Sequence, residues 1–172
     1  MKRLFFVLSF GILLMSGCGY TLVGQGNLPD HIKTIAIPVF ENETLEEGIE
    51  ETLTNAVIEE FIRGGKMQLV SESEADAVML GTIKTYKNKQ PVAYNDQNEV
   101  SSYRLTVTVD IELKDLVKDV ELWATEGMEE FADYEGGEDT ALTEEQDNEE
   151  QAMEEISEEL AQEIRALSTE GF

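Results

Sequence analysis

The chain has 172 residues, of which 41% are hydrophobic and 28% are charged, which is enough for one domain with a buried core. Acidic residues outnumber basic ones by 37 to 12, a formal net charge of −25 that argues against binding to nucleic acids or anionic surfaces. One cysteine and one histidine cannot form a zinc site of the Cys and His type.

The first 17 residues have the pattern of a secretory signal peptide. Lys2 and Arg3 precede an apolar run of 12 residues, Leu4 to Met15. This run is shorter than the roughly 20 residues that a helix needs to cross a bilayer. Small residues, Ser16 and Gly17, then supply a cleavage site directly before Cys18. We therefore expect residues 1–17 to be removed.

The sequence around Cys18 resembles the bacterial lipobox, in which the cysteine receives lipid and becomes the mature N-terminus. The lipobox implies a diacylglycerol thioether and an amide-linked acyl chain such as palmitate, which anchor a protein far more firmly than one acyl chain. Gly19, in place of an aspartate, favours the outer membrane in the sorting rule that this resemblance implies. An ordinary secreted protein with a free thiol is the alternative. Residues 18–30 would form the lipidated tether.

A short strand and a helix are predicted next. The apolar segment Lys33 to Phe40 predicts a strand, and Pro38 places it at a sheet edge or marks its end. Thr44 and Glu47 have capping-box spacing. An apolar stripe at helical spacing follows, and Arg63-Gly64-Gly65 predicts the end of the helix. The stripe consists of Leu45, Ile49, Leu53, Val57 and Phe61.

The middle of the chain predicts four strands. After a brief strand at 67–70, a longer one runs from Val78 towards Tyr94, and Gly81 in it predicts a bulge. Residues 95–98 are a polar turn, after which clean alternation from Leu105 to Leu113 predicts the next strand. A turn from Lys114 and a strand over 120–131 complete an antiparallel meander.

The closing segment predicts an acidic amphipathic helix. The last 47 residues contain 18 acidic residues and one basic residue, Arg165, a formal charge of −17. A single apolar stripe runs through Met153, Ile156, Leu160, Ile164 and Leu167, and a capping box at Thr143 to Gln146 places the start near Thr143. The alternative, a calcium loop, does not have EF-hand spacing.

These elements predict an α+β fold for residues 31–172 as a single domain. The order is β-α-β-β-β-β-α. Both helices would pack on one apolar face of a mixed, mostly antiparallel sheet of four to five strands, which gives a two-layer domain.

The sequence offers little for catalysis. No thiol nucleophile remains once Cys18 is acylated. His31 lies near the start of the fold without the sequence context of a catalytic serine. No pair of carboxylates is placed in a recognisable apolar cleft, as a glycosidase would need. We therefore predict neither an enzyme, nor a metal site, nor a cofactor besides the covalent lipid.

Several segments together resemble the LptE family of lipopolysaccharide-assembly lipoproteins. They are CGYTLVG after the lipobox, LPDHIKTIAIPVFENET, ADAVMLGTI, YRLTVTVDIELKD and the acidic closing helix. The resemblance implies a lipid-anchored outer-membrane protein that plugs the lipopolysaccharide-exporting β-barrel LptD. It would face the periplasm and the barrel lumen, and support barrel assembly and lipopolysaccharide delivery.

The resemblance also implies contact with lipopolysaccharide through basic residues. This chain keeps only ten basic residues once residues 1–17 are removed, and four of them are candidate contacts: Lys84, Lys87, Lys89 and Arg104. Lysines that protect an edge strand from aggregation are the alternative. An envelope lipoprotein that binds a small ligand or a peptide is the alternative function.

Overall fold

A computed structural model of the protein describes residues 28–170. The signal peptide and Cys18 therefore lie outside the described residues. The strands are β1 (Thr34–Ala36), β2 (Glu41–Asn42), β3 (Gln68–Leu69), β4 (Ala77–Tyr94), β5 (Val100–Asp115) and β6 (Val120–Glu135). The helices are α1 (Ile49–Gly64) and α2 (Leu142–Glu170), and a short 3-10 turn covers Glu72–Glu74.

All six strands form one mixed sheet. Its order is β3-β1-β4-β5-β6, and β2 also pairs with β4. β1 pairs in parallel with β3 and β4, whereas β4, β5 and β6 form an antiparallel meander. Among residues 28–170, β6 is an edge strand with no partner on its outer side. The predicted α+β class and the predicted meander are confirmed.

The core lies between one face of the sheet and the two helices. Alternating residues of β5 from Leu105 to Leu113 are buried, and the predicted stripe of α2 is buried from Met153 to Ile164. Each fully buried leucine or isoleucine contributes roughly 1.5–3 kcal/mol of burial free energy. Within the described residues, no helix packs on the opposite face of the sheet.

Hydrogen bonds also connect α2 to the meander. Tyr86 donates its hydroxyl hydrogen to Glu149 at 2.8 Å, and Lys89 binds Glu145 at 2.6 Å. Glu145 Oε2 in addition accepts the backbone N–H of Gly137 at 3.0 Å. The first turns of α2 are therefore fixed to the β4 strand and to the loop that follows β6.

Three local predictions need correction. α1 begins at Ile49 after Gly48, whose φ is 91°, so the capping box at Thr44 is wrong. Thr44 instead donates its N–H and its hydroxyl to Asn42 Oδ1, within a turn that follows β2. Leu45 is consequently fully exposed, and the stripe begins at Ile49.

The second correction concerns the start of α2. The helix begins at Leu142, so Thr143 lies inside its first turn and is not the N-cap that the capping box required. The predicted boundary is right to within one residue, which is the usual precision of helix ends.

The third correction concerns Gly81. It pairs with Ile111 in regular register, and the first register shift of β4 falls between Ile83 and Thr85. Gly81 is required because the Phe40 ring packs on its Cα, where a Cβ would collide. Pro38 follows β1, so it marks the end of that strand, and β1 itself lies inside the sheet.

Candidate functional site

The described chain begins beside the turn between β5 and β6. Leu28 packs against the core, and the Ile32 N–H donates to the Pro29 carbonyl at 2.9 Å. His31 Nε2 then lies 2.7 Å from Asp115 Oδ2, at the end of β5. His31 therefore fixes the start of the described chain to this end of the sheet.

Asp115 organises the same turn. Its Oδ1 accepts the backbone N–H groups of Val117 and Lys118, both at 2.9 Å, while its Oδ2 binds His31. Burial would raise the pKa of Asp115, but the hydrogen bonds from Lys118, His31 and Val117 together lower it. One ionised carboxylate thus fixes both the turn and the point where the chain enters the domain.

The structure does not bring the four candidate basic residues together. Lys84 pairs with Glu43, and Lys89 points to the helix side, where it binds Glu145. The hydrogen bond that Lys84 donates to Glu43 raises the pKa of Lys84, and the one that Lys89 donates to Glu145 raises the pKa of Lys89. Both ammonium groups are therefore already close to carboxylates.

Arg104 forms two hydrogen bonds to one carboxylate and also packs on an aromatic ring. Its Nε and Nη2 donate to the two carboxylate oxygens of Asp133 at 2.7 and 2.9 Å, and its guanidinium lies 3.9 Å from the centre of the Phe131 ring. The bidentate bond raises the pKa of Arg104 and lowers that of Asp133. An anion at Arg104 would have to compete with this carboxylate.

Lys87 differs from the other three. It is exposed and forms no ion pair with any residue in the range 28–170. It pairs with Thr106 across the helix-free face of the sheet. Of the four candidates, Lys87 is thus the one whose charge is available to a partner, and the role of all four stays a prediction.

A groove of about 420 Å³ lies on the helix-free face of the sheet. Val39, Leu80 and Ala124 contribute apolar surface to it. Its remaining walls are rich in carboxylates: Glu41, Asp110, Glu112, Glu121 and Glu126. Sequence analysis missed this groove because its residues come from the loop after β1 and from β2, β4, β5 and β6. Its only visible signal was Leu80, an apolar residue on the outward face of β4.

The same charge pattern limits the chemistry that the groove supports. Carboxylates next to apolar surface favour cationic or polar partners over phosphates. The described part of the chain contains no group of three or more His, Cys, Asp or Glu side chains placed to hold a metal ion. Within residues 28–170, neither helix is both long and apolar enough to cross a membrane.

Solved structures with similar folds come from bacterial proteins. The rare lipoprotein B from Shewanella oneidensis aligns with a TM-score of 0.51 at 15% identity, over 77% of this chain and 91% of that chain. A protein from Xanthomonas campestris aligns with a TM-score of 0.51 at 10% identity, over 83% of this chain and 88% of that chain. At these identities the likeness shows a shared fold. No curated protein matches the sequence.

A family model supplies the closer relationship. The model described as "LptE: Lipopolysaccharide-assembly" matches residues 32–167. This range begins at Ile32, the first buried residue of the fold. It ends at Leu167, the last residue of the apolar stripe of α2. It therefore includes every strand and nearly all of both helices. The chain belongs to the LptE family of lipopolysaccharide-assembly proteins.

Proposed function

We propose that this protein is an outer-membrane lipoprotein, anchored through Cys18, that binds and plugs the lipopolysaccharide-exporting β-barrel LptD. The observation that carries the proposal is the family match over residues 32–167. In this role the protein supports assembly of the barrel and delivery of lipopolysaccharide to the outer leaflet, facing the periplasm and the barrel lumen. It acts by binding, without a catalytic step.

The surface of the domain suits such a partner. The lumen of a wide outer-membrane barrel is polar, so a plug needs a polar surface that matches its shape. The helix-free face of this sheet presents Thr, Lys and Glu side chains with few apolar residues between them. Its charges are mostly negative, which favours a lumen with exposed Lys and Arg.

Co-purification tests the partnership. The tagged native lipoprotein is isolated from detergent-solubilised envelopes, and we expect the barrel to be recovered with it. A Cys18→Ala domain exported by another signal peptide should still bind the barrel when abundant, because the lipid raises only the local concentration. Mass spectrometry of the native protein should show a lipid on Cys18 and no residues from 1–17.

Depletion tests the function. Loss of the protein should leave newly made lipopolysaccharide off the cell surface and the barrel misassembled. Normal surface lipopolysaccharide after complete depletion, with no barrel recovered in the co-purification, would contradict the proposal. The groove beside Leu80 would then favour the alternative, an envelope lipoprotein that captures a small ligand or peptide.

Direct lipopolysaccharide contact is a separate part of the proposal. Lys87→Gln removes the exposed charge, whereas Lys84→Gln removes a charge already paired with Glu43. If the basic residues bind lipid phosphates, Lys87→Gln should weaken lipopolysaccharide binding more than Lys84→Gln does. Equal and unchanged binding by both variants, and by a variant that also carries Lys89→Gln and Arg104→Gln, would exclude these contacts.

A further inference from the structure

The two turns of the meander differ sharply in polarity. The turn between β4 and β5, residues 95–99, consists of Asn, Asp, Gln and Glu. The turn between β5 and β6 exposes three apolar side chains, Leu116 at 41%, Val117 at 62% and Val120 at 48%. We name residues Leu116–Val120 the apolar turn. Strands of 16 residues separate the two turns by roughly 50 Å, at about 3.3 Å per residue.

The apolar turn is held in place by the domain. Asp115 fixes the N–H groups of Val117 and Lys118, and the Leu116 N–H donates to the Asp76 carbonyl at 2.8 Å. Asp119 completes the turn in the left-handed region, with φ at 54°. These bonds fix the backbone of the turn in the conformation in which its three apolar side chains are exposed.

The segment from Cys18 enters the domain at this same end. His31 binds Asp115, the residue that begins the turn, and Leu28 packs on the core three residues earlier. Nine residues lie between Cys18 and Leu28, and this stretch of chain spans at most about 35 Å when fully extended. A lipid on Cys18 therefore limits how far the apolar turn can move from the bilayer, whereas residues 95–99, at the other end of the strands, can lie roughly 50 Å farther away.

We propose that the apolar turn is a second membrane contact, which inserts into the interface of the leaflet that holds the Cys18 lipid. This inference rests on the lipid anchor of the proposed function. Exposed apolar groups that lie together mark interaction sites, and lipid interfaces bind them weakly on their own. The tether compensates by making the contact effectively intramolecular.

The charges around the turn indicate which lipids it contacts. Lys118 is exposed beside Asp119 and Glu121, so the turn has no net positive charge. The whole chain is strongly acidic. Attraction to anionic lipids is therefore not the driving force, and apolar insertion should occur on a zwitterionic phosphatidylcholine surface.

A site-specific probe tests this contact. In the lipidated protein the thiol of Cys18 is blocked, so Val117→Cys supplies the one free thiol for an environment-sensitive fluorophore. Asp96→Cys, in the polar turn, is the matched control. Both labelled proteins are reconstituted in phosphatidylcholine vesicles. We expect the probe at 117 to be quenched by bilayer-embedded spin labels and to show about fivefold weaker iodide quenching than the probe at 96.

Equal iodide quenching at positions 117 and 96 would overturn the proposal. If Cys18 carries no lipid, the anchor itself fails, and the labelled Cys18→Ala/Val117→Cys chain is then added to the same vesicles for the same comparison. A probe at 117 that is protected only when the barrel is present would assign the apolar turn to a protein contact and would also overturn the membrane proposal.

A second measurement tests whether vesicle binding depends on the apolar turn in particular or on exposed apolar residues in general. Leu116, Val117 and Val120 are replaced by Ser, and the control replaces Val92 and Tyr94, which are exposed near the opposite turn. Vesicle binding of the Cys18→Ala domain should fall roughly tenfold in the first variant and remain unchanged in the second. Equal losses in both variants would contradict a specific site. Thermal melts of both variants check that the domain remains folded.

Discussion

Glu60 and Arg165 show how two side chains from distant parts of the sequence stabilise this fold. Glu60 is buried between Arg63 Nη1 and Arg165 Nε, both at 2.6 Å. Arg165 is the single basic residue of the acidic closing segment, and its ion pair with Glu60 joins α2 to α1. Periodicity alone did not identify this bond because its partners are 105 positions apart.

Gly81 provides a test at the scale of one methyl group. Gly81→Ala places a Cβ against the buried ring of Phe40 and should lower the free energy of unfolding by about 1–3 kcal/mol, as overpacking does. Urea unfolding measures the change. Phe40→Leu should recover part of the loss in the Gly81→Ala background, which a double-mutant cycle detects. An unchanged free energy of unfolding in the Gly81→Ala variant would show that the Phe40 ring moves aside without cost.

At the scale of elements, the closing helix should depend on its buried stripe. Leu160 is fully buried, whereas Leu142 in the same helix is 81% exposed. Leu160→Ala should therefore cost roughly 2–5 kcal/mol, and Leu142→Ala should have almost no effect. Denaturant midpoints of the two variants make the comparison. Similar midpoints would mean that α2 contributes little to the core.

The face of α2 towards β6 also carries a repulsive contact. Burial, together with the carboxylates of Glu159 and Glu163, raises the pKa of Glu130. A folded state with a raised pKa binds its proton more tightly than the unfolded chain, so this group destabilises the fold at neutral pH and less at lower pH. Glu130→Gln should raise the melting temperature at pH 7, and the gain should shrink as the pH falls towards the unfolded pKa of about 4.3. A gain that is independent of pH would point to packing instead.

The sequence predicted the long elements and the short strands β1 and β3, but it did not predict β2. The meander and the stripe of α2 follow from side-chain alternation and helical spacing, which are local properties. β2 has two residues, too few for a period, and it forms by pairing with β4. β3 is equally short but lies within the strand predicted at 67–70. β2 also explains the late start of α1, since Glu41 and Asn42 are held in the sheet before the helix can begin.

The functional surface was less predictable than the fold. The three candidate lysines are close in sequence, yet a register shift between Lys87 and Gln90 and the φ of 55° at Lys89 turn Lys89 towards α2. Lys87 stays on the other face, opposite Thr106. The groove and the apolar turn depend on which strands are neighbours, which composition and periodicity do not report.

For the whole molecule, charge should make stability depend on salt. The net charge of −25 opposes compaction, and the closing helix holds much of it. Ion pairs such as Lys89 to Glu145 act in the opposite direction, but they are far fewer than the carboxylates. We expect the melting temperature to rise from about 0.01 to 0.15 M salt, as the screening length falls from about 30 to 8 Å. A flat or falling curve would show that the pairs outweigh the repulsion.

The free side of β6 has a consequence for how this protein avoids aggregation. A 16-residue strand with open backbone groups is a template on which a second extended chain can add. Here six of the 16 residues are acidic, and Gly127, with φ at 69°, interrupts the ladder where Asp110 binds its N–H. Two copies that meet along β6 would bring like charges together across an irregular edge. The acidity of the chain thereby keeps neighbouring copies apart at high local concentration.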